Sequence, residues 1–349
     1  MKKILVIILT LLFCTGCFDY KEINDLAIIS AIGIDYENDE YIITLEILND
    51  QIDKASSKIT SYTKTGSGKT LTSAIENAAD KLSKELIFNH IKLMILSKSI
   101  VETKFDNIID LFLRNTYFRE NFYVISSTDT KPEDLLNHTT NEAPIASTAI
   151  TDTLESISYS SNTNILKKFD EIIEEVITYG IDTCFSNITL KDNEFIVDGM
   201  SIFNNYSYKS NLSNEYVKIY NLLIDNFDRP TYTINYDNLS FTTAINNGKI
   251  NAEIKSGTIN VTGNLMGRII DNDPKYNIRD PKNLERIDND FTNLLNKKIP
   301  EFIKVLQDNN SDILGITRNY YKKTRTKDKD YWLKLDIKSN IKFNINKKG

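Results

Sequence analysis

Apolar residues in the first part of the chain recur with two different periods, and each period predicts one kind of element. Leu26 to Ile34 is a nearly continuous apolar run, which is typical of a strand buried on both faces. Leu71 to Leu86 places apolar side chains on one face of a helix of about four turns. Further strands are predicted at Tyr41 to Leu48, Ile59 to Thr63, Ile91 to Leu96 and Phe122 to Ser126, and a second helix at Phe105 to Phe112. The order βββαβαβ predicts an N-terminal mixed α/β domain over residues 17–137.

A polar stretch from Asn137 to Glu142 indicates a boundary, and the pattern after it predicts a middle α/β domain over residues 138–230. Two helices are predicted near Ala146 to Tyr159 and Ile165 to Val176, the second of them stopped by Gly180. Strands are predicted at Phe185 to Leu190 and Phe195 to Phe203, and a short helix at Tyr216 to Leu223.

The last third, residues 231–349, predicts a C-terminal domain of long antiparallel strands and one long helix. Asn247-Gly248 predicts a hairpin turn, and Gly257 a bulge or second turn. A period of three to four from Leu284 to Leu306 predicts the helix, which Pro300 should bend. From Leu333 to Ile345 apolar residues recur with a period of two, as in a strand with one wet face: Leu333, Leu335, Ile337, Ile341, Phe343 and Ile345. The predicted fold class is therefore α+β, with three mixed α/β domains and largely antiparallel or mixed sheets.

Composition excludes several function classes. The chain has 349 residues, is 41% hydrophobic and carries a net charge of −6, which is ordinary for a globular protein. A nucleic-acid partner is not expected, because the phosphate backbone requires a basic surface. Two histidines in the whole chain argue against a His-rich metal site and a His-dependent triad.

The N-terminal residues resemble an export signal with a lipid attachment site. Lys2 and Lys3 precede an apolar run from Ile4 to Phe13, which at about ten residues is too short to span a bilayer. Cys14-Thr15-Gly16-Cys17 follows at once and looks like a lipobox. The interpretation is a signal peptide over residues 1–16, cleavage between Gly16 and Cys17, and a diacylglycerol on Cys17. The alternative is an ordinary secretory signal followed by a chance cysteine.

No residue group gives a catalytic signature. Gly66-Ser67-Gly68-Lys69-Thr70 suggests a phosphate-binding loop, but the required earlier glycine is Thr63, so we predict a turn with Thr70 as a helix N-cap. Cys184 has no base nearby in the sequence and is interpreted as a core thiol. We therefore expect neither enzymatic activity nor a metal or other cofactor.

The C-terminal segment from Arg318 to Lys348 is basic, with eleven Lys and Arg against three acidic residues. Lys322, Lys323 and Arg325 form its densest part and are the candidate basic interface, for anionic lipid or an acidic partner. The alternative is a solvated surface without a partner.

Several motifs resemble one known family, the Ger(x)C lipoproteins, which are the C subunits of spore germination receptors. The most specific is Cys17-Phe18-Asp19-Tyr20-Lys21-Glu22-Ile23-Asn24-Asp25-Leu26-Ala27, which runs into Gly33-Ile34-Asp35. Phe88-Asn89-His90-Ile91-Lys92, Gly199-Met200-Ser201-Ile202-Phe203 and Ser311-Asp312-Ile313-Leu314-Gly315 also fit the family.

The resemblance implies a lipid-anchored, non-catalytic receptor subunit on the outer face of the spore inner membrane, held there by its diacylglycerol. It implies a complex with two integral membrane subunits, A and B, and three mixed α/β domains. One alternative is a lipid-anchored extracytoplasmic solute-binding protein, which would usually have two lobes of repeated βα units. The other is a cell-wall hydrolase, which would need a carboxylate pair or metal cleft that the sequence does not suggest.

Overall fold

A computed structural model describes residues 25–49, 59–114, 121–140, 143–224, 231–236, 239–275 and 277–346. The fold is α+β, as predicted, and has two sheets. The strands are β1 Leu26–Glu37, β2 Glu40–Leu48, β3 Ser61–Gly68, β4 Glu85–Ile87, β5 Leu93–Ser97, β6 Tyr123–Ser127, β7 Cys184–Lys191, β8 Glu194–Asn204, β9 Ser207–Leu212, β10 Thr231–Tyr236, β11 Leu239–Lys255, β12 Thr258–Asn272 and β13 Asp336–Ile345. The helices are α1 Leu71–Ala79, α2 Lys98–Thr103, α3 Phe105–Arg114, α4 Pro132–Asn137, α5 Ala146–Ser160, α6 Phe169–Ile177, α7 Asn214–Leu223, α8 Pro281–Asp308 and α9 Ile316–Thr324.

The larger sheet has nine strands in the order β3-β2-β1-β5-β6-β7-β8-β9, with β4 beside the start of β1. Strands β1, β5, β6 and β7 are parallel and form its centre. Helices α1, α2, α3 and α6 cover one face, and α4 and α5 cover the other. In β5, Met94 and Leu96 face the first layer, and Leu93 and Ile95 face the second. The continuous apolar run of this strand is therefore explained by burial on both faces.

The smaller sheet has the order β10-β11-β12-β13 and packs one face against α7 and α8. Strands β10, β11 and β12 are antiparallel, whereas β13 pairs with β12 in parallel. A parallel partner requires a crossover, and the chain makes it through α8 and α9.

The hairpin predicted at Asn247-Gly248 is wrong. Strand β11 runs through both residues, and the turn lies at Ser256 and Gly257, whose φ angles of 52° and 71° suit a two-residue turn. The pairing of β11 with β12 shifts between Ile245 and Asn247, so the strand carries a bulge there. Gly248 is needed for a close approach, because a Cβ would lie 2.6 Å from the Asn264 carbonyl oxygen.

Two other elements differ from the pattern. The predicted α1 helix ends at Ala79, because Leu86 lies in β4 and pairs with β1. The last strand begins at Asp336 rather than Leu333, because Tyr331–Lys334 form a short 3-10 helix. The Thr70 N-cap is confirmed, since its hydroxyl accepts a hydrogen bond from the Ser73 N–H.

The first two predicted domains contribute to the same sheet. Strand β6 pairs with β7 through Ser126 and Asn187, and the Ser126 hydroxyl lies 2.7 Å from that of Ser201. The boundary near residue 137 remains a prediction, with α4 ending at Asn137.

Side chains of α8 accept hydrogen bonds from backbone N–H groups along the outer edge of β13. The N–H groups of alternate residues Ile341, Phe343 and Ile345 donate to Asn296, Thr292 and Asp288 at 2.8, 3.0 and 2.7 Å. These three helix residues are four apart and so lie on one face of α8. The edge of the smaller sheet is therefore closed by a helix instead of another strand.

Candidate functional site

The predicted basic interface lies at the C-terminal end of α9. Lys322, Lys323 and Arg325 are exposed there, and Arg325 caps the helix with a left-handed φ of 62°. Lys323 forms an ion pair with Glu253 of β11, and its hydrogen bond and charge lower the pKa of that carboxyl. Within the part of the chain that the structure describes, Lys322 and Arg325 form no ion pair. The structure therefore places all three cations at the exposed C-terminal end of α9, where Lys323 is already paired with Glu253.

Other cations of the same segment contact α6 and the loop that follows it. The Arg318 guanidinium lies 3.6 Å from the Glu174 carboxylate, and the Arg318 N–H donates to the Gly180 carbonyl at 2.8 Å. The Lys327 ammonium lies 5.7 Å from the ring centre of Tyr179, within cation–π range. Part of the basic charge thus attaches α9 and its following loop to the loop after α6.

A buried carboxylate, Asp182, lies at the centre of this attachment. It lies two residues before β7, is 1% exposed, and accepts hydrogen bonds from the N–H groups of Asp312 and Asn205, both at 2.8 Å. The Lys329 ammonium lies 3.4 Å from the same carboxylate. Because these residues are far apart in sequence, nothing in the local pattern indicated that they meet.

A second buried carboxylate, Asp312, lies four residues before the first residue of α9. Its oxygens accept the N–H groups of Ile316 and Thr317 at 2.9 and 2.7 Å. Burial raises the pKa of Asp312 to about 6, although these hydrogen bonds act in the opposite direction. We name Asp182, Asp312 and Lys329 the junction cluster, because it connects the C-terminal helices to the larger sheet.

The Gly16 and Cys17 predictions lie outside the described residues. None of the helices in the described ranges combines the length and the apolar character needed to cross a bilayer. The same ranges contain no group of three or more His, Cys, Asp or Glu side chains that could hold a metal ion.

Cys184 is fully buried, and the structure shows a neighbour that the sequence did not reveal. The Lys167 ammonium lies 3.9 Å from the Cys184 sulfur and 2.7 Å from a Glu175 carboxylate oxygen. Burial nevertheless raises the pKa of the thiol. A protonated thiol closed off from solvent is a poor nucleophile, which agrees with the core role predicted for it.

A cavity of about 320 Å³ lies at the carboxyl ends of the parallel strands β1, β5 and β6. Hydroxyl and carboxylate groups form a chain in it, since Ser97 and Ser99 lie 2.8 Å apart and Ser99 donates to Asp35 at 2.8 Å. An ion pair of 2.7 Å between Lys131 and Glu37 lies at its edge. These groups can hydrogen-bond a small polar molecule, and Ser99 has a carboxylate rather than a histidine as its partner.

Comparison with known proteins decides the family. A model described as "Spore germination protein N-terminal domain" matches residues 19–190, and one described as "Spore germination B3/ GerAC like, C-terminal" matches residues 198–349. The chain belongs to the Ger(x)C family of spore germination proteins. Membership confirms the family suggested by the N-terminal motif and gives this protein a role in germination.

Individual Ger(x)C proteins are similar over most of their length. Spore germination protein KC of Bacillus subtilis is 25% identical over 96% of this chain and 93% of its own. Spore germination protein A3 of the same organism is 26% identical over 76% of this chain and 73% of its own. The crystal structure of the GerBC protein matches with a TM-score of 0.58 and 16% identity, and covers 90% of this chain and 96% of that one. This last match shows the shared fold.

Proposed function

We propose that this Ger(x)C protein is a lipid-anchored, non-catalytic subunit of a spore nutrient-germinant receptor. It resides on the outer face of the spore inner membrane and acts through contacts with the A and B integral membrane subunits. The observation that carries the proposal is the family match across both parts of the chain. Spores that lack the protein should fail to respond to nutrients, yet germinate when a downstream step is triggered directly. Normal nutrient germination of such spores would contradict the receptor role.

The anchor is tested through Cys17, which follows the short apolar run and Gly16. Two acyl chains at about 0.8 kcal/mol per buried CH₂ are sufficient for stable attachment without a transmembrane helix. The Cys17→Ala variant should lose the lipid and leave the detergent phase in phase partitioning. A Cys17→Ala protein that stays in the detergent phase would count against lipidation at this residue.

The absence of turnover is supported by the chemistry of two potential nucleophiles among the described residues. Cys184 is closed off from solvent with a raised pKa, and Ser99 is hydrogen-bonded to Asp35 without an imidazole base. A chain that starts at Phe18 should therefore show no hydrolase activity on peptidoglycan. Measurable hydrolysis that disappears in a Ser99→Ala variant would favour the enzyme alternative.

The solute-binding alternative has one observation in its favour, which is the polar cavity at the carboxyl ends of β1, β5 and β6. Ligands of open α/β sheets commonly bind at that position. Under the receptor proposal, titration calorimetry of the ectodomain with amino acids and sugars should give no heat. Micromolar binding that is lost in an Asp35→Asn variant would favour the solute-binding protein.

A further inference from the structure

Within the described residues, helices pack against one face of the smaller sheet and leave the other face uncovered. Side chains on this face form rows across β11, β12 and β13, because directly paired residues project to the same side of a sheet. The rows are Glu253–Asn260–Lys338, Asn251–Thr262–Asn340, Lys249–Asn264–Lys342 and Asn247–Met266–Asn344. Asn251, Thr262, Asn264 and Lys342 are all exposed. We call the surface formed by these rows the open face.

Positive charge predominates on the open face, although the whole chain is acidic. Its four rows hold the exposed cations Lys249, Lys338 and Lys342 and one carboxylate, Glu253. Neighbouring positions on the same side of the sheet add two cations, Lys255 and Arg268, and two carboxylates, Asp271 and Asp336. Glu253 is already paired with Lys323 of α9, so the cations of the candidate basic interface adjoin the open face. The charge of the chain is therefore segregated, and this flat surface would be attracted to a negatively charged one.

One exposed apolar side chain lies among these cations. Met266 is 45% exposed on the open face, in the row next to Lys249 and Lys342. Cations combined with accessible apolar side chains are typical of surfaces that contact the headgroup region of a membrane.

The topology places the smaller sheet near the proposed lipid anchor. The junction cluster includes Asp182, which lies two residues before β7 and accepts a hydrogen bond from Asn205 in the turn after β8. Strands β7 and β1 are parallel, so β1 begins at this same end of the larger sheet. The chain from Cys17 to Asp25 can span at most about 29 Å, so the C-terminal part of the molecule lies on the side of the anchor.

We propose that the open face lies against the anionic headgroups of the membrane and so fixes the orientation of the protein on the bilayer. The proposal rests on the proposed lipid anchor, which brings the protein to the membrane, and adds the surface that contacts it. Lys249, Lys338 and Lys342 supply the attraction to phosphate groups, and Met266 enters the headgroup region.

The test measures binding of the ectodomain without its lipid. All buried apolar side chains in the described ranges lie at Ala27 or beyond, so a chain that starts at Phe18 retains these cores. It should cosediment with vesicles that contain phosphatidylglycerol and not with pure phosphatidylcholine vesicles, and high salt should abolish binding. The triple variant Lys249→Gln, Lys338→Gln, Lys342→Gln should bind on the order of 100-fold more weakly, since each cation contributes about fivefold.

A matched control removes three exposed lysines from the opposite end of the larger sheet. Lys69→Gln, Lys98→Gln, Lys191→Gln makes the same change in net charge at the carboxyl ends of β3, β5 and β7. This variant should lose little affinity. Equal losses in both triple variants, or no binding of the parent chain at low salt, would overturn the proposal. If the open face instead binds an acidic protein surface, the parent chain should not bind the vesicles at low salt. Because Cys17 is absent from this chain, either outcome leaves the anchor to be decided separately by Cys17→Ala.

A label reports which surface touches the lipid. A chain that starts at Phe18 has Cys184 as its one thiol, and that thiol is buried. An environment-sensitive dye on Met266→Cys should therefore shift to the blue with phosphatidylglycerol vesicles, whereas the same dye on Lys69→Cys should not. A shift at residue 69 without one at residue 266 would refute the assigned surface.

Discussion

Helices cover both faces of the nine-stranded sheet, whereas they cover one face of the four-stranded sheet. The central strand β5 buries every side chain from Leu93 to Ser97. Strand β13 buries Ile341, Phe343 and Ile345 and exposes the residues between them. The two sheets therefore differ in role. The larger sheet is buried on both faces, whereas the smaller sheet buries one face in the core and exposes the other to solvent.

The largest expected difference between the sheets is in their tolerance of truncation. Ile95→Ala removes a fully buried side chain that lies between two helical layers, and should cost about 4 kcal/mol of unfolding free energy. Asn340→Ala, on the open face, should change it by less than about 0.5 kcal/mol. Denaturant unfolding of both variants measures the difference. Similar losses would mean that the open face is packed against something in solution.

The junction between the sheets should respond to pH. The pKa of Asp312 is raised from 3.8 to about 6, so the folded state binds the proton more tightly than the unfolded chain. Its contribution to stability is fully present below the unfolded pKa and is lost as the pH rises through about 6. Relative to Asp312→Asn, which keeps a neutral side chain, the wild type should lose about 3 kcal/mol between about pH 4 and about pH 7.

Denaturant midpoints over this pH range measure the Asp312 effect. Asp308→Asn is the control, because that carboxylate lies on the surface of α8 beside Lys304. Its stability should follow the wild-type curve. If the stability of Asp312→Asn changes with pH in the same way as that of the wild type, protonation of Asp312 does not cause the pH dependence.

The closed edge of the smaller sheet should be sensitive to a single side chain. Asn296→Ala leaves the Ile341 N–H and carbonyl without their helix partner and should cost about 2 kcal/mol. Asn344→Ala, exposed on β13 itself, is the matched control and should be nearly neutral. Thermal unfolding and light scattering together distinguish lost stability from new edge-to-edge association.

The smallest effect on stability is expected at the end of α9. Charge reversal at Lys322, Lys323 and Arg325 acts on exposed side chains, and surface changes of this kind usually cost less than about 0.5 kcal/mol each. Germination should nevertheless be impaired if these cations form an interface. Spores that carry the folded variant and germinate normally would show that the segment is only a solvated surface.

The sequence predicted what depends on local periodicity. The apolar run of β5, the alternation of β13 and the three-to-four spacing of α8 each gave the correct element. The hairpin prediction at Asn247-Gly248 was wrong because the same dipeptide occurs in turns and at places where a glycine lets two strands approach closely. The junction cluster could not be predicted, since Asp182 lies 130 residues from Asp312 and 147 from Lys329. The open face was foreseeable only in part, because alternation marks a wet face without showing which charges align across strands.

The parallel pairing of β13 with β12 also determines when the smaller sheet can be completed during synthesis. Strand β12 gains its second neighbour only from residues 336–345, which are synthesised after the other strands of both sheets. Until then Asp288, Thr292 and Asn296 have no strand edge to bond, and the apolar face of α8 lacks Ile341 and Phe343. A chain that stops short of Asp336 would therefore expose both an open strand and uncovered core. Completion of the smaller sheet thus waits for β13, the C-terminal strand of the two described sheets.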